Sequence, residues 1–227
     1  MTVPVITAAF SITYFAITIW LVRRLKLDVR SICYASVICA LTVVLAGIRI
    51  PLPTGSNITC GSWIPLMVLA LVVDARISII TGWVCGILVM LLISGWETVH
   101  WAQIFVQQLV CFSCLGYAGV FGWDKKWKVL CGTTLAVLIR IAGHVLSGVV
   151  FYSQNAWDGW GAWGYSLAFN LSSRLPEGIL SIVIVTLLPL SLLRKTATPK
   201  PSVFTTSPTS RPRRKIVRRS SAAGAVS

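Results

Sequence analysis

Residues 129–152 read VLCGTTLAVLIRIAGHVLSGVVFY, an apolar run broken only by Arg140, His144 and a few small hydroxyl residues. As an α-helix the run is about 36 Å long at 1.5 Å per residue, enough to cross a hydrocarbon core of about 30 Å. The run does not alternate apolar with polar residues, as a strand of a membrane barrel would. A backbone surrounded by lipid must satisfy its own hydrogen bonds, so this stretch reads as a transmembrane helix.

The rest of the chain has the same character. Hydrophobic residues make up 56% of the 227 and charged residues 11%, against about 25% charged in soluble domains. Apolar runs predict seven spans, at 3–22, 31–49, 62–74, 77–94, 103–122, 129–152 and 167–193. The third is short for a bilayer and needs its flanks or a partly buried position. The first has neither a basic leader nor a small-residue cleavage site, so it reads as a helix rather than a signal peptide. The expected fold class is therefore all-α, a polytopic membrane helical bundle.

Charge sets the expected orientation. Segments 23–30 (RRLKLDVR) and 123–128 (WDKKWK) are basic, whereas 50–61, 95–102 and 153–166 contain no Lys or Arg. The positive-inside rule puts the N-terminus outside and the C-terminus in the cytoplasm. Nine of the twenty basic residues follow position 193, in a Ser/Thr/Pro-rich tail that lacks the apolar content for a core and is expected to be disordered. Next to a membrane helix, its RPRRKIVRR cluster is expected to lean on anionic lipid rather than on nucleic acid.

The seven cysteines lie mostly inside apolar runs, and Cys111-x-x-Cys114 has no second pair, so neither a disulfide framework, a metal site nor a cofactor is expected. No G-x-x-x-x-G-K-[ST] occurs, which excludes P-loop nucleotide hydrolysis by this chain. Asn57-Ile58-Thr59 matches a glycosylation sequon, which matters only in a eukaryotic secretory setting. Ser147 near His144 is the one candidate nucleophile–base pair. It lacks an orienting third group, so an enzyme is not expected.

Polar groups inside the later spans fall on stripes. Arg140, His144 and Ser147 share a face, as do Asn170, Arg174 and Glu177, and Gln103, Gln107 and Cys111. Such groups face the bundle interior or a water-filled cavity, because lipid exposure is costly. One expectation is that Arg140 and Glu177 pair across two helices. A second is that His144, Tyr152 and the tryptophans at 157, 160 and 163 gather at one end as an outward-facing pocket with aromatic walls and polar hooks. Ser36 and Ala40, four residues apart, make a small face suited to close helix approach, either within the bundle or with a partner.

The runs HVLSGVVFY, YSLAFN and LPEG, with LDVRSICYASVICALTVVLAG and PLPTGSNITCGSWIPLMVLAL before them, resemble the thiamine-binding S component of energy-coupling factor (ECF) vitamin transporters. The resemblance covers about 26–195. It implies a six-helix S-component core at 26–195, an extra N-terminal transmembrane helix at 1–25 and a basic cytoplasmic tail at 196–227. It further implies a multi-pass plasma-membrane subunit of a prokaryote that is not an enzyme. Such a subunit captures thiamine or a close relative from outside, for uptake driven by a coupling subunit and two cytoplasmic ATPases. His144, Tyr152, Tyr165 and Asn170 correspond to the family's substrate-binding positions, and the face of Ser36 and Ala40 to its docking surface.

Gln107 and Gln108 stand where the family usually has an acidic residue and then an aromatic one. Neutral glutamine cannot supply the charge-assisted contact of a carboxylate. Either Glu97 or Asp158 supplies it from a loop, or the cargo is a different compound. The alternatives are thus an S component for another vitamin or heterocycle and, from other classes, a membrane enzyme or a structural membrane protein.

Overall fold

A computed structural model describes residues 2–25, 27–93 and 100–197. The chain runs through helices α1 (Thr2–Val22), α2 (Val29–Gly47), α3 (Ile64–Val72) and α4 (Ala75–Leu92). A fifth helical segment follows at 101–119 (α5), then α6 (Lys126–Phe151), α7 (Ala162–Leu187) and a short α8 (Leu190–Ala197). Five of these, α1, α2, α4, α6 and α7, are long and apolar enough to cross a membrane. The all-α membrane bundle expected from the sequence is the fold observed.

The third span is short, as its apolar run implies: α3 has nine residues, about 13 Å of helix. It is also the most enclosed, with Trp63, Leu66, Met67 and Leu71 in the core.

The fifth span departs from a regular helix. After one α turn at Trp101–Gln103 it widens to a π-helix over Ile104–Val110, then tightens through Cys111–Ser113 to a 3-10 helix at Cys114–Gly119. Glycines let neighbouring helices press close to it. A Cβ on Gly82 of α4 would lie 2.6 Å from the Phe112 carbonyl oxygen, and one on Gly86 2.5 Å from that of Gln108. Neither leaves room for a side chain.

Segment 50–61, between the second and third predicted spans, takes part in a small hairpin. Strand β1 (Arg49–Pro51) pairs antiparallel with β2 (Asn57–Thr59), Arg49 opposite Thr59. Gly55 takes φ +83° in the turn, a conformation that glycine adopts without strain. The hairpin leans on α7, where Thr54 and Ser56 lie 3.2 and 3.3 Å from the Ser172 hydroxyl and Thr59 donates to Glu177.

The seventh span ends earlier than expected, because Pro189 interrupts it and α8 starts a new helix at Leu190. Arg194 of α8 donates to the Leu71 carbonyl at 3.0 Å and covers the Trp123 ring at 4.5 Å. Helix α1 packs parallel to α5. Tyr14 meets the Ser113 hydroxyl at 2.6 Å and Thr18 meets the Tyr117 hydroxyl at 2.8 Å, one turn apart on both helices. With Thr7 and Ser11 they form a buried polar stripe, while Ile6, Ile12 and Ile19 face outward.

Apart from Arg49, Arg140 and Arg174, the basic residues that are described collect at one end of the bundle. Arg23 and Arg24 follow α1, Lys125, Lys126 and Lys128 begin α6, and Arg194 and Lys195 end α8. There Lys128 pairs with Asp124 at 2.8 Å and holds its carboxyl below the usual range.

Candidate binding cavity

At the opposite end of the bundle the hairpin, α5, α6 and α7 enclose a cavity of about 260 Å³. The hairpin region contributes Arg49, Gly55, Ser56, Asn57 and Thr59, and α5 contributes Gln107 and Gln108. His144 and Gly148 enter from α6, Tyr152 and Asn155 from the turn after it, and Tyr165, Ser166, Phe169, Asn170 and Arg174 from α7.

Helical spacing explains most of these positions. Residues 144, 148 and 152 repeat every fourth position along α6, and 166, 170 and 174 do so along α7. The two helices approach closely because residue 148 is glycine. A Cβ there would collide with the Ser166 hydroxyl and sit 3.1 Å from the Asn170 amide nitrogen. The wide π turn of α5 brings the consecutive Gln107 and Gln108 to the same wall, and π-bulges often occur where a helix must present groups to a site.

The polar groups are held before any ligand arrives. Gln103 donates to Gln107 Oε1 and to the Tyr152 hydroxyl, each at 2.6 Å, and Ser147 donates to Gln107 Oε1 at 3.0 Å. Asn170 Nδ2 donates to the Ser166 carbonyl at 2.9 Å, so the carboxamide oxygen can serve another donor. Some lining atoms have no hydrogen bond of their own: His144 Nε2, Gln108 Oε1 and Arg174 Nε are buried and make none among the described residues. Leaving such atoms unsatisfied is costly, so the cavity is built for a guest with polar groups of its own.

His144, Tyr152, Tyr165, Asn170, Gln107 and Gln108, expected at the binding site, line this one cavity. Glu97 lies outside the described residues, and Asp158 is exposed and away from the lining. The tryptophans do not form its walls. Trp157 packs edge-on against Tyr165 at 5.2 Å, and Trp160 and Trp163 are half exposed. The aromatic walls are Tyr152, Tyr165 and Phe169.

Arg140 does not pair with Glu177. It is buried between the rings of Trp63 and Phe112, 4.6 Å from each, and donates to the Cys111 carbonyl. The nearest cation to Glu177 is Arg174 on its own helix, at 3.8 Å. Two aromatic faces and a carbonyl hold the Arg140 guanidinium, while the hydroxyls of Thr59 and Ser62 serve the Glu177 carboxylate. Ser36 and Ala40 are exposed, beside an apolar groove between α2 and α4.

Sequence reasoning missed Arg49, Asn57 and Phe169 as lining residues and did not single out Arg174 as one. Arg174 could have been found, since it shares the Asn170 stripe. Among the described residues, no His/Cys/Asp/Glu cluster is placed to hold a metal ion.

Residues 32–197 match the family described as thiamine transporter protein. Among curated proteins, the thiamine transporter ThiT of Bacillus subtilis (strain 168) is 27% identical over 157 residues, covering 64% of this chain and 81% of the relative. The solved structure of ThiT from Listeria monocytogenes superposes with a TM-score of 0.64 at 22% identity, covering 74% of this chain and 97% of that one, and so shares its fold.

Proposed function

The chain belongs to the thiamine transporter protein family, a multi-pass membrane transporter rather than an enzyme, and from that premise we propose that its cavity captures thiamine or a close relative. The observation that carries this reading is the ring of His144, Tyr152, Tyr165 and Asn170 around one cavity, with His144 Nε2 and Gln108 Oε1 buried and unpartnered. A flat aminopyrimidine offers donors and acceptors to Asn170, His144 and Gln108. A cationic thiazolium suits aromatic faces, each worth about 0.5–2 kcal/mol.

The cavity lies at the end of the bundle away from the basic segments 23–30 and 123–128, so by the positive-inside rule it opens outward and the C-terminus is cytoplasmic. The chain carries no P-loop. As an S component it hands its cargo to a transmembrane coupling subunit and two ATPases, and the exposed face of Ser36 and Ala40 is the surface proposed to meet them. The extra helix at 1–25 and the basic tail at 196–227 lie outside the six-helix core of this reading.

Purified protein tests it. Mass spectrometry of the co-purifying small molecule, with titration of thiamine, its pyrimidine half and a neutral analogue, should show binding without turnover. Asn170→Ala should lower affinity about ten- to hundredfold by leaving ligand groups desolvated and unpaired. Binding of none of the three ligands ends the thiamine reading. Ser36→Trp should reduce assembly with the coupling subunit. ATP-independent concentrative uptake by the chain alone in liposomes would refute the S-component role.

A further inference from the structure

Helix α5 changes its hydrogen-bond period within the bundle, from π at Ile104–Val110 through Cys111–Ser113 to 3-10 at Cys114–Gly119. Where the period changes, the ladder of backbone bonds is interrupted, and in a membrane bundle other groups must serve the freed carbonyls. Side chains do so here. The Cys111 thiol lies 3.3 Å from the Val106 carbonyl, the Ser113 hydroxyl donates to the Leu109 carbonyl, and Arg140 donates to the Cys111 carbonyl.

Arg140 differs from the other two supports. It reaches α5 from a different helix, α6, and its bond is charge-assisted, so it is the strongest of the three. The guanidinium is 1% exposed and is clamped 4.6 Å from the Trp63 ring and 4.6 Å from the Phe112 ring, where α3, α5 and α6 meet. It stands one turn of α6 from His144 yet does not line the cavity. A charge placed at such depth is costly and commonly marks function. The residue it holds is close to the binding wall. The Cys111 amide donates back to the Gln108 carbonyl while the Cys111 carbonyl accepts from Arg140, so one peptide residue links the guanidinium to the π turn. Helix α4 backs the same stretch, where a Cβ on Gly86 would lie 2.5 Å from the Gln108 carbonyl oxygen.

We propose that Arg140 is a positioning residue for ligand binding: by holding the Cys111 carbonyl it fixes the π turn of α5, and with it the direction in which Gln107 and Gln108 face the cavity. This rests on the thiamine-like reading above.

Thiamine is titrated against the full chain in lipid nanodiscs in two double-mutant cycles. Arg140→Met keeps an unbranched side chain between the two rings and loses the donor, and it should weaken binding about tenfold. Combined with Gln108→Ala, the loss should fall short of the product of the two single losses by at least about threefold, because both act through the same wall. Combined with Asn170→Ala on α7, the two losses should multiply. Arg140→Lys, which keeps a charged donor, should lose less than Arg140→Met. Arg140→Gln carries the same two cycles should Arg140→Met fail to fold. Wild-type affinity in the neutral variant that folds overturns the positioning role and leaves the thiamine reading standing. So does a loss that multiplies with Gln108→Ala as it does with Asn170→Ala, the pattern of a residue that serves stability alone. Failure of the wild-type chain to bind thiamine removes the thiamine reading and this inference with it.

Discussion

Gln103 holds Tyr152 in place: its side-chain amide donates to the phenolic oxygen at 2.6 Å, across 49 positions of sequence. The same nitrogen donates to Gln107 Oε1 at 2.6 Å, so one buried side chain sets both an aromatic wall and a polar hook of the cavity. Gln103 itself is not among the lining residues.

Replacing Gln103 with leucine should therefore weaken binding without removing any group that touches the ligand. The expected loss is about tenfold, since two hydrogen bonds of about 1 kcal/mol each are exchanged for mobility of two lining residues. Titration of Gln103→Leu beside Tyr152→Phe checks this. A Gln103→Leu protein that binds like wild type would show that Tyr152 needs no such hold.

Gln107 offers a test of charge. Its Oε1 accepts from Gln103 and Ser147 at 2.6 and 3.0 Å, and a glutamate oxygen can accept the same two bonds. Gln107→Glu adds a negative charge with little change of shape. Thiamine, a cation, should bind more tightly to this variant than to the wild type. Weaker binding would contradict the placement of positive ligand charge beside residue 107.

Helix α1 is fastened by two hydroxyl pairs, Tyr14 to Ser113 and Thr18 to Tyr117. Interhelical hydrogen bonds in membranes average about 0.6 kcal/mol. The double change Tyr14→Phe and Thr18→Val should lower the unfolding free energy in detergent by about 1 kcal/mol. Unfolding curves with and without the substitutions measure it, and no shift would mean that apolar packing alone holds α1.

Orientation can be read by labelling. Cysteines engineered into 153–166 should react with an impermeant reagent added outside, and those in 123–128 should not. The reverse pattern would invert the proposed topology.

Seven of the eight helices were legible because apolar windows report burial in lipid directly, and the short α3 was visible as a short run, whereas the break before α8 was not foreseen. Which residues face inward was also legible, since period and helix geometry fix it. Partners across helices were not. Arg140 and Glu177 share the interior, yet periodicity cannot say that two rings wait for one and two hydroxyls for the other. The hairpin was hidden for another reason: the turn signals of PLPTGSN stand between two strands of only three residues each, too few β-formers to register. Arg49 went unnoticed because it stands at the border between an apolar run and a loop. The π turn leaves no mark in composition, so the shared wall of Gln107 and Gln108 emerges only from the backbone.

The hairpin ties parts of the bundle that are remote in sequence. Its two ends continue into α2 and α3, while its tip and second strand are fastened to α7 through Ser172 and Glu177. Anything that pushes Phe169 or Arg174 outward pulls on Thr54, Ser56 and Thr59. The hairpin works as a strap: α7 cannot tilt away from α2 and α3 unless those hydroxyls let go, so the width of the cavity is governed from its outer wall.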